Sequence, residues 1–313
     1  MRKVGPFTLS ENLGNGLTSS VFVGKISPHS APVAVKFPSR EQIARRASIP
    51  SLFANEFRVL SKLNHERIIR TVGYYSKTTF NDQAKGVSYL TPSLVFELAE
   101  NGDFCELLMR TQALGDEEVR FYFWQLLQAV DFLHCEGFAH RDIKPENLLI
   151  DSELNLKLSD FAFACPLDSK DFRKVGTNGY MAPEIKFSIS YDFRKADLFA
   201  VGLVLYAMST GSQLFASSGR EDQNFRCFFD DPEAFWALKA LTDEVKALPS
   251  SLVELLRGLI HPEPSQRWGV SEILGNEWYN QSVDENLVKE EMRRRVKTKS
   301  EKRPFSERTN LLI

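Results

Sequence analysis

The hydrophobic period of this 313-residue chain changes near residue 100. Before that point the apolar runs are short. Residues 7 to 13 (FTLSENL), 20 to 26 (SVFVGKI) and 32 to 37 (PVAVKF) are rich in β-branched and aromatic residues and are separated by turn signals, which predicts strands. Two further strand-like runs, TVGYYSKTTF and SLVFELA, flank a turn at NDQAKG. Only LFANEFRVLSKL (52 to 63) breaks that rhythm, with Leu52, Phe53, Phe57, Leu60 and Leu63 on one helical face. After residue 100 the period becomes helical, at 116 to 136, 194 to 209, 231 to 241, 250 to 260 and 270 to 279. Asp116 and the two glutamates after it suit the positive N-terminal end of the first of these helices. Strands first and helices second predict an α+β chain of two lobes. The first lobe, about 1–97, is expected to hold these strands and the one helix. A connector at about 97–103 leads to a mainly α-helical C-lobe at about 104–279, and 280–313 form a basic polar tail.

Composition narrows the function classes. The formal net charge is −2, so nothing marks a nucleic-acid binder. No run of 18 apolar residues suggests a membrane span, and MRKVGPFTLSENLG has no apolar core of signal-peptide length. Cys105, Cys135, Cys165 and Cys227 are widely spaced, as expected of reduced thiols in a cytoplasmic protein.

Several short stretches carry chemistry. Gly14 and Gly16 lie between two strands; the pair is either an ordinary turn or a loop whose backbone N–H groups approach a phosphate. A strand follows them, which argues against a dinucleotide-binding βαβ unit. Lys36 ends the strand VAVK and is either solvated or paired. Glu56 sits on the apolar stripe of 52 to 63 and needs a cation, because an unpaired buried charge is costly. HRDIKPEN (140 to 147) is a polar cluster between the apolar FYFWQLLQAVDFLH and LLI. Pro145 stops helix propagation there, so Asp142, Lys144 and Asn147 are displayed on a loop. A carboxylate, an ammonium and an amide suit proton acceptance, phosphate neutralisation and metal binding. Asp160 in SDFAFA supplies a second hard oxygen, as Mg2+ prefers.

Together these stretches resemble the protein kinase family over about residues 7 to 279. Gly14, Gly16 and Val21 match its Gly-rich loop, with Ser19 at the third glycine. VAVK and Glu56 match its lysine–glutamate pair, HRDIKPEN its catalytic loop, Asp160 and Phe161 its D-F motif, and MAPE (181 to 184) the end of its activation segment. Arg267 resembles the buried partner of Glu184. The resemblance implies a bilobal α+β fold, with an antiparallel β-sheet plus one helix in the N-lobe and a mainly α-helical C-lobe, ATP and Mg2+ as cofactors, and protein substrates. Asp142 would accept the substrate hydroxyl's proton, with Lys144 beside the transferred group. Asn147 and Asp160 would hold the metal, and Lys36, held by Glu56, the phosphates. Adenine would lie between Val21, Ala34 and Leu149, with its polar edge at the backbone of Glu97 and Ala99. Phe96 would be the gatekeeper, Asp103 would meet the ribose, and His140 would pack rather than act as a base. Lys144, two residues after Asp142, resembles the serine/threonine branch. Asp103 and Glu146 either favour basic residues before the acceptor or simply solvate the rim. LVFELAENGDF, DLFAVGLVLY and FFDDPEAFW resemble the calcium/calmodulin-dependent group, in a ciliate-like form.

Three features depart from the pattern. Ala162 replaces the glycine of D-F-G and restricts φ. Ser169 is the single serine or threonine between Asp160 and Thr177, so Asp171 or Asp168 either stands in for a phosphate at Arg141 or is merely solvated. In the tail, Val288, Met292 and Val296 share a helical face among basic residues. Such a helix binds calmodulin, docks on its own chain or stays solvated. No calcium loop of the D-x-D-x-D-G kind occurs, so a calcium response would need a partner. The alternative to an active enzyme is a pseudokinase scaffold that keeps the fold and binds partners.

Overall fold

The structure, a computed structural model, describes residues 1–111 and 114–298. Six strands, β1 (Arg2–Val4), β2 (Phe7–Asn15), β3 (Ser20–Lys25), β4 (Val33–Phe37), β5 (Thr71–Asp82) and β6 (Val87–Glu97), make one antiparallel sheet in the order β1-β2-β3-β4-β6-β5. β1 pairs with both β2 and β5, so the sheet closes into a barrel and loses its free edges. Three residues are too few to show an alternating pattern, and β1 is therefore invisible to periodicity. It is pinned by Arg2 Nε donating to Asp82 Oδ2 at 3.0 Å. Phe7, Phe22, Val35, Phe37 and Val95 fill the barrel interior. β6 begins at Val87 rather than Ser93 because its outer half pairs with β5 in a long hairpin, turned at Gly86 (φ 63).

Two helices cross between β4 and β5. The short α1 (Arg40–Arg45) is additional to the single helix expected. Its six residues bury nothing, so no apolar stripe announces it; a capping box between Ser39 and Gln42 starts it. α2 (Ile49–Leu60) begins earlier than its stripe predicts, with Pro50 in the first turn where a missing N–H costs nothing. It ends at Leu60, leaving Leu63 beyond the helix, and it buries Ile49, Phe53, Glu56, Val59 and Leu60.

The second lobe is mainly helical. α3 (Phe104–Thr111) and α4 (Asp116–Cys135) come first. The short strands β7 (Phe138–Ala139), β8 (Leu148–Ile150), β9 (Leu156–Leu158) and β10 (Cys165–Pro166) follow, pairing as β7 with β10 and β8 with β9. Then come α5 (Pro183–Phe187), α6 (Phe193–Thr210), α7 (Gln223–Asp230), α8 (Pro232–Lys239), α9 (Asp243–Lys246), α10 (Ser250–Leu259), α11 (Val270–Gly275) and α12 (Glu285–Thr298). α6 is buried almost throughout and is capped by Asp192. Its Gly202 permits close approach to α10: a Cβ there would meet Leu259 Cβ and Ile260 Cγ1 at 2.8 Å. Among the described residues, no helix is long and apolar enough to cross a membrane.

Packing continues past residue 279. Arg120 Nη2 donates to Gln281 Oε1 (2.6 Å), and the amide of Asp284 donates to Glu117 Oε1 (2.6 Å). α12 then lies along α3 and α4, with Val288 3% and Met292 0% exposed. Arg295 pairs with Glu118 at 3.1 Å, and Lys289 Nζ stands 5.7 Å from the Phe121 ring. The solvated helix considered from sequence is thus replaced by a docked one, because the apolar residues find a complementary surface. The side chain of Val296, and residues 299–313, lie outside the described residues.

Candidate active site

The polar cluster HRDIKPEN is held by one buried carboxylate. Asp197, on α6, accepts from the amides of His140 (2.8 Å) and Arg141 (2.9 Å) and contacts His134 Nε2 (2.9 Å). Burial raises the Asp197 carboxyl, but His134 and the other donors outweigh it, and its pKa lies below the ordinary value. These bonds fix Arg141 at φ 70, a left-handed backbone that a non-glycine residue adopts only when its surroundings hold it there. His140 is wholly buried, with Nε2 2.9 Å from Ser159 O and its ring 4.7 Å from that of Phe161, a packing role as expected.

Asp142 follows on the same loop. Its Oδ1 accepts from Thr177 Oγ1 at 2.7 Å, and its Oδ2 from Asn147 Nδ2 at 3.2 Å. Asn147 Nδ2 also donates to Asp142 O at 2.7 Å, which leaves the amide oxygen of Asn147 as the acceptor. Lys144 Nζ donates to Thr177 Oγ1 at 2.6 Å and stands 3.5 Å from Asp142 Oδ2. Ammonium, hydroxyl and carboxylate therefore form one line.

The β8–β9 hairpin carries Asp160 to the same place. Leu148 opposes Leu158, and both the amide and the hydroxyl of Ser159 donate to Asn147 O, at 2.8 and 2.9 Å. Asp160 is at φ 61 and turns into a short 3-10 helix, Phe161–Phe163. Phe161 is fully buried. Asn55 Nδ2 on α2 donates to Ala162 O (3.1 Å) and Ala164 O (2.9 Å), tying the helix that bears Glu56 to this segment. Ala162 is not among the positive-φ residues, so its Cβ is tolerated without strain.

Lys36 is 7% exposed and Glu56 1%. Lys36 Nζ contacts Glu56 Oε2 at 2.8 Å, Glu56 Oε1 at 3.0 Å and Asp160 Oδ1 at 2.9 Å. Burial pulls the Lys36 pKa down, but Asp160 and Glu56 outweigh it and raise it above the ordinary lysine value. Burial raises Asp160 and Lys36 overrides it, so that carboxyl lies below its ordinary value. Burial pushes Glu56 up to about 7, with Lys36 opposing. The solvated alternative for Lys36 does not hold.

The other expected positions are dispersed around this cluster. Gly14 opposes Val21 across β2–β3, and the Gly16 amide donates to Ser19 O at 2.7 Å. A Cβ at Gly14 would meet nothing within 4 Å, so no packing demands a glycine there. Ala34 is buried opposite Phe96, and Val21 and Leu149 pack on the same core. The amide of Glu97 is taken by Arg70 O (3.0 Å), while its side chain binds Lys157 (3.0 Å). Ala99 is half-buried on the connector. Asp103 Oδ1 accepts from the Glu106 amide at 2.8 Å, at the start of α3. Glu184 and Arg267 form a fully buried bidentate pair at 2.6 and 2.9 Å.

Three residues escaped sequence reasoning. Thr177 and Asn55 carry no local pattern. Asp197 does carry one, a lone carboxylate within an apolar helix.

The residues present fit a magnesium nucleotide. The amide oxygen of Asn147 and the second oxygen of Asp160 are two hard donors on adjoining chain segments, and Mg2+ takes few protein oxygens and completes its shell with phosphates and water. Lys36 supplies fixed positive charge beside them.

Comparison with known proteins agrees with this geometry. The family described as protein kinase domain matches residues 7–279. CBL-interacting protein kinase 31 of Oryza sativa subsp. japonica is 28% identical over 287 residues, covering 89% of this chain and 58% of that protein. CBL-interacting protein kinase 10 of the same plant is 29% identical over 287 residues, 90% of this chain and 58% of that protein. CBL-interacting protein kinase 33 is 29% identical over 285 residues, with 89% and 58% covered. The chain therefore spans rather more than half the length of these relatives. With the match covering most of its length, the chain belongs to the protein kinase domain family.

Proposed function

We propose that this chain is a serine/threonine protein kinase, moving the γ-phosphoryl group of ATP to a Ser or Thr hydroxyl of a protein and releasing ADP. The observation that carries the reading is the line Lys144–Thr177–Asp142–Asn147, joined through Ser159 to Asp160 and Lys36. Asp142 accepts the acceptor hydroxyl's proton as its oxygen bonds phosphorus. Lys144 faces the charge on the transferred group, and Lys36, oriented by Glu56, faces the α and β phosphates. Asn147 and Asp160 hold Mg2+, which neutralises phosphate charge when bound. Val21, Ala34 and Leu149 cover the adenine, with the connector backbone from Glu97 to Ala99 at its edge and Asp103 at the ribose. Gly14 and Gly16 let backbone approach the phosphates. Such catalysis is chiefly positioning and charge stabilisation.

Asp103 and Glu146 favour a basic residue before the acceptor. Their fields, with that of Glu106 and behind the larger effect of burial, push the Cys105 thiol up to about 12, which supports an acidic rim at this place. The domain runs from 1 to 279, with lobes meeting at about 97–103. The likeness to the calcium/calmodulin-dependent group bears on the tail. The buried Val288 and Met292 support intramolecular docking of residues 285–298 over free display to calmodulin. We place it in the cytoplasm, in keeping with four cysteines that are widely spaced and unpaired.

The test is phosphate transfer from labelled ATP with Mg2+ to a serine peptide with preceding arginines, compared with Asp142→Asn, with and without calcium-loaded calmodulin. Transfer by the native chain alone supports the reading. Equal signals from both proteins overturn it and leave the scaffold alternative.

A further inference from the structure

Residues 160 to 184 form a long segment that must be ordered against the catalytic loop. A common device for ordering such a segment is an added phosphate facing an arginine. Between Asp160 and Thr177 this chain offers one hydroxyl, Ser169, and that oxygen already accepts from the Asp171 amide at 3.1 Å.

The surroundings of Arg141 are filled in another way. Phe172 stacks on Phe193, with centroids 5.4 Å apart and ring planes 11° apart. Tyr191 meets both rings edge-on, 5.6 Å from Phe172 and 5.1 Å from Phe193. The guanidinium of Arg141 lies 5.2 Å from the Phe193 centroid, a cation–π distance. Its Nη2 donates to Arg173 O at 2.7 Å, and its Nη1 stands 3.6 Å from Asp171 Oδ2. Asp171 is itself gripped by Arg173, at 2.7 and 2.6 Å. Phe193 begins α6, which also carries Asp197, the acceptor that fixes the Arg141 amide. One helix thus presents both the ring that receives Phe172 and the carboxylate that sets the catalytic loop.

We propose that Phe172 is a positioning residue: seated on Phe193 and Tyr191, with Asp171 facing Arg141, it orders residues 160 to 184 without phosphorylation and so keeps Asp142 in register. The ring supplies apolar burial and stacking where a phosphate would supply charge. Asp171 supplies one negative charge beside a backbone already anchored at Arg173 O, four residues before Thr177. The inference rests on the kinase reading for its effect on turnover, but not for its effect on order.

The experiment compares native chain, Phe172→Ala and Phe172→Tyr, each treated with phosphatase and checked by intact mass. Amide exchange across 165 to 176 speeds at least about tenfold in Phe172→Ala and stays near native in Phe172→Tyr, since local opening sets exchange. Turnover of a basic serine peptide falls about ten- to a hundredfold in Phe172→Ala, as expected when a catalytic group is displaced by up to about 1 Å. Affinity for a non-hydrolysable ATP analogue changes less than about twofold, because the Lys36 site is not in contact with the dock. Unchanged exchange in Phe172→Ala overturns the proposal. So does native protein that transfers phosphate only when Ser169 is phosphorylated. If the native chain transfers no phosphate in either state, the kinase reading fails, and the exchange comparison still decides the role of Phe172.

Discussion

Lys36 and Asp160 are 124 positions apart in the chain, and their Nζ and Oδ1 atoms are 2.9 Å apart. The contact joins the barrel of the first lobe to the hairpin of the second. It places an ammonium, kept protonated by two carboxylates, beside an oxygen suited to a metal.

Lys36→Met leaves Glu56 buried without a cation. Removing one member of a buried ion pair costs about 3–5 kcal/mol. Phosphoryl transfer falls at least about a hundredfold, as when a preorganised charge is removed from a transition state. Denaturant unfolding reads the first effect and labelled ATP the second. Intact stability with full activity would show that the pair contributes neither.

Ala162→Gly is expected to destabilise rather than repair. The position has no left-handed requirement, and glycine in a helical turn costs about 0.5–1 kcal/mol relative to alanine. Chemical denaturation measures the loss, and faster exchange at 160 to 166 locates it. A stabilised variant would mean that the alanine is strained.

Met292→Ala tests the docking of α12. Its side chain is fully buried, and removing such a group costs about 2–5 kcal/mol. The loss appears as a lowered denaturation midpoint, or as early release of residues 285–298 in exchange. No change in either would mean that the helix does not rest on α3 and α4.

Asp171 gives a pH signature. Hydrogen bonds from Arg173 hold its carboxyl down to about 2, below its ordinary value. A depressed acid contributes stability above its unfolded pKa of about 3.9 and loses it as pH falls through the folded one. The advantage of native protein over Asp171→Asn is therefore constant from neutral pH to about 4 and shrinks towards 2. It is small, because the side chain is about a third exposed and screened. A phosphate would change charge near pH 6 instead. Paired melts at each pH, at low salt, give the comparison. A gap that opens or closes near pH 6 would contradict the assignment.

Much of the architecture was legible because it is written in local periods. Strands β2, β3 and β4 are short runs of β-branched and aromatic residues bounded by turn signals, and α4 and α6 are long enough for an apolar pattern to stand out. Glu56 betrayed itself as a charge on an apolar stripe. Pro145 marked the loop that displays Asp142. Elements held by few residues left no such trace: β1 at three residues, α1 at six with nothing buried, and the paired fragments around the catalytic loop.

By itself the sequence determined which side chains carry charge and oxygen, the order in which they occur, and the lobe each belongs to, since these follow from residue type and period. The tertiary structure decided who meets whom. Whether Lys36 is paired, whether Thr177 bridges Lys144 and Asp142, where Phe172 seats and whether the tail helix docks all depend on contacts between residues far apart in the chain. Such contacts form because burying a charge or a ring requires a partner. Sequence distance says nothing about which partner the fold brings within reach.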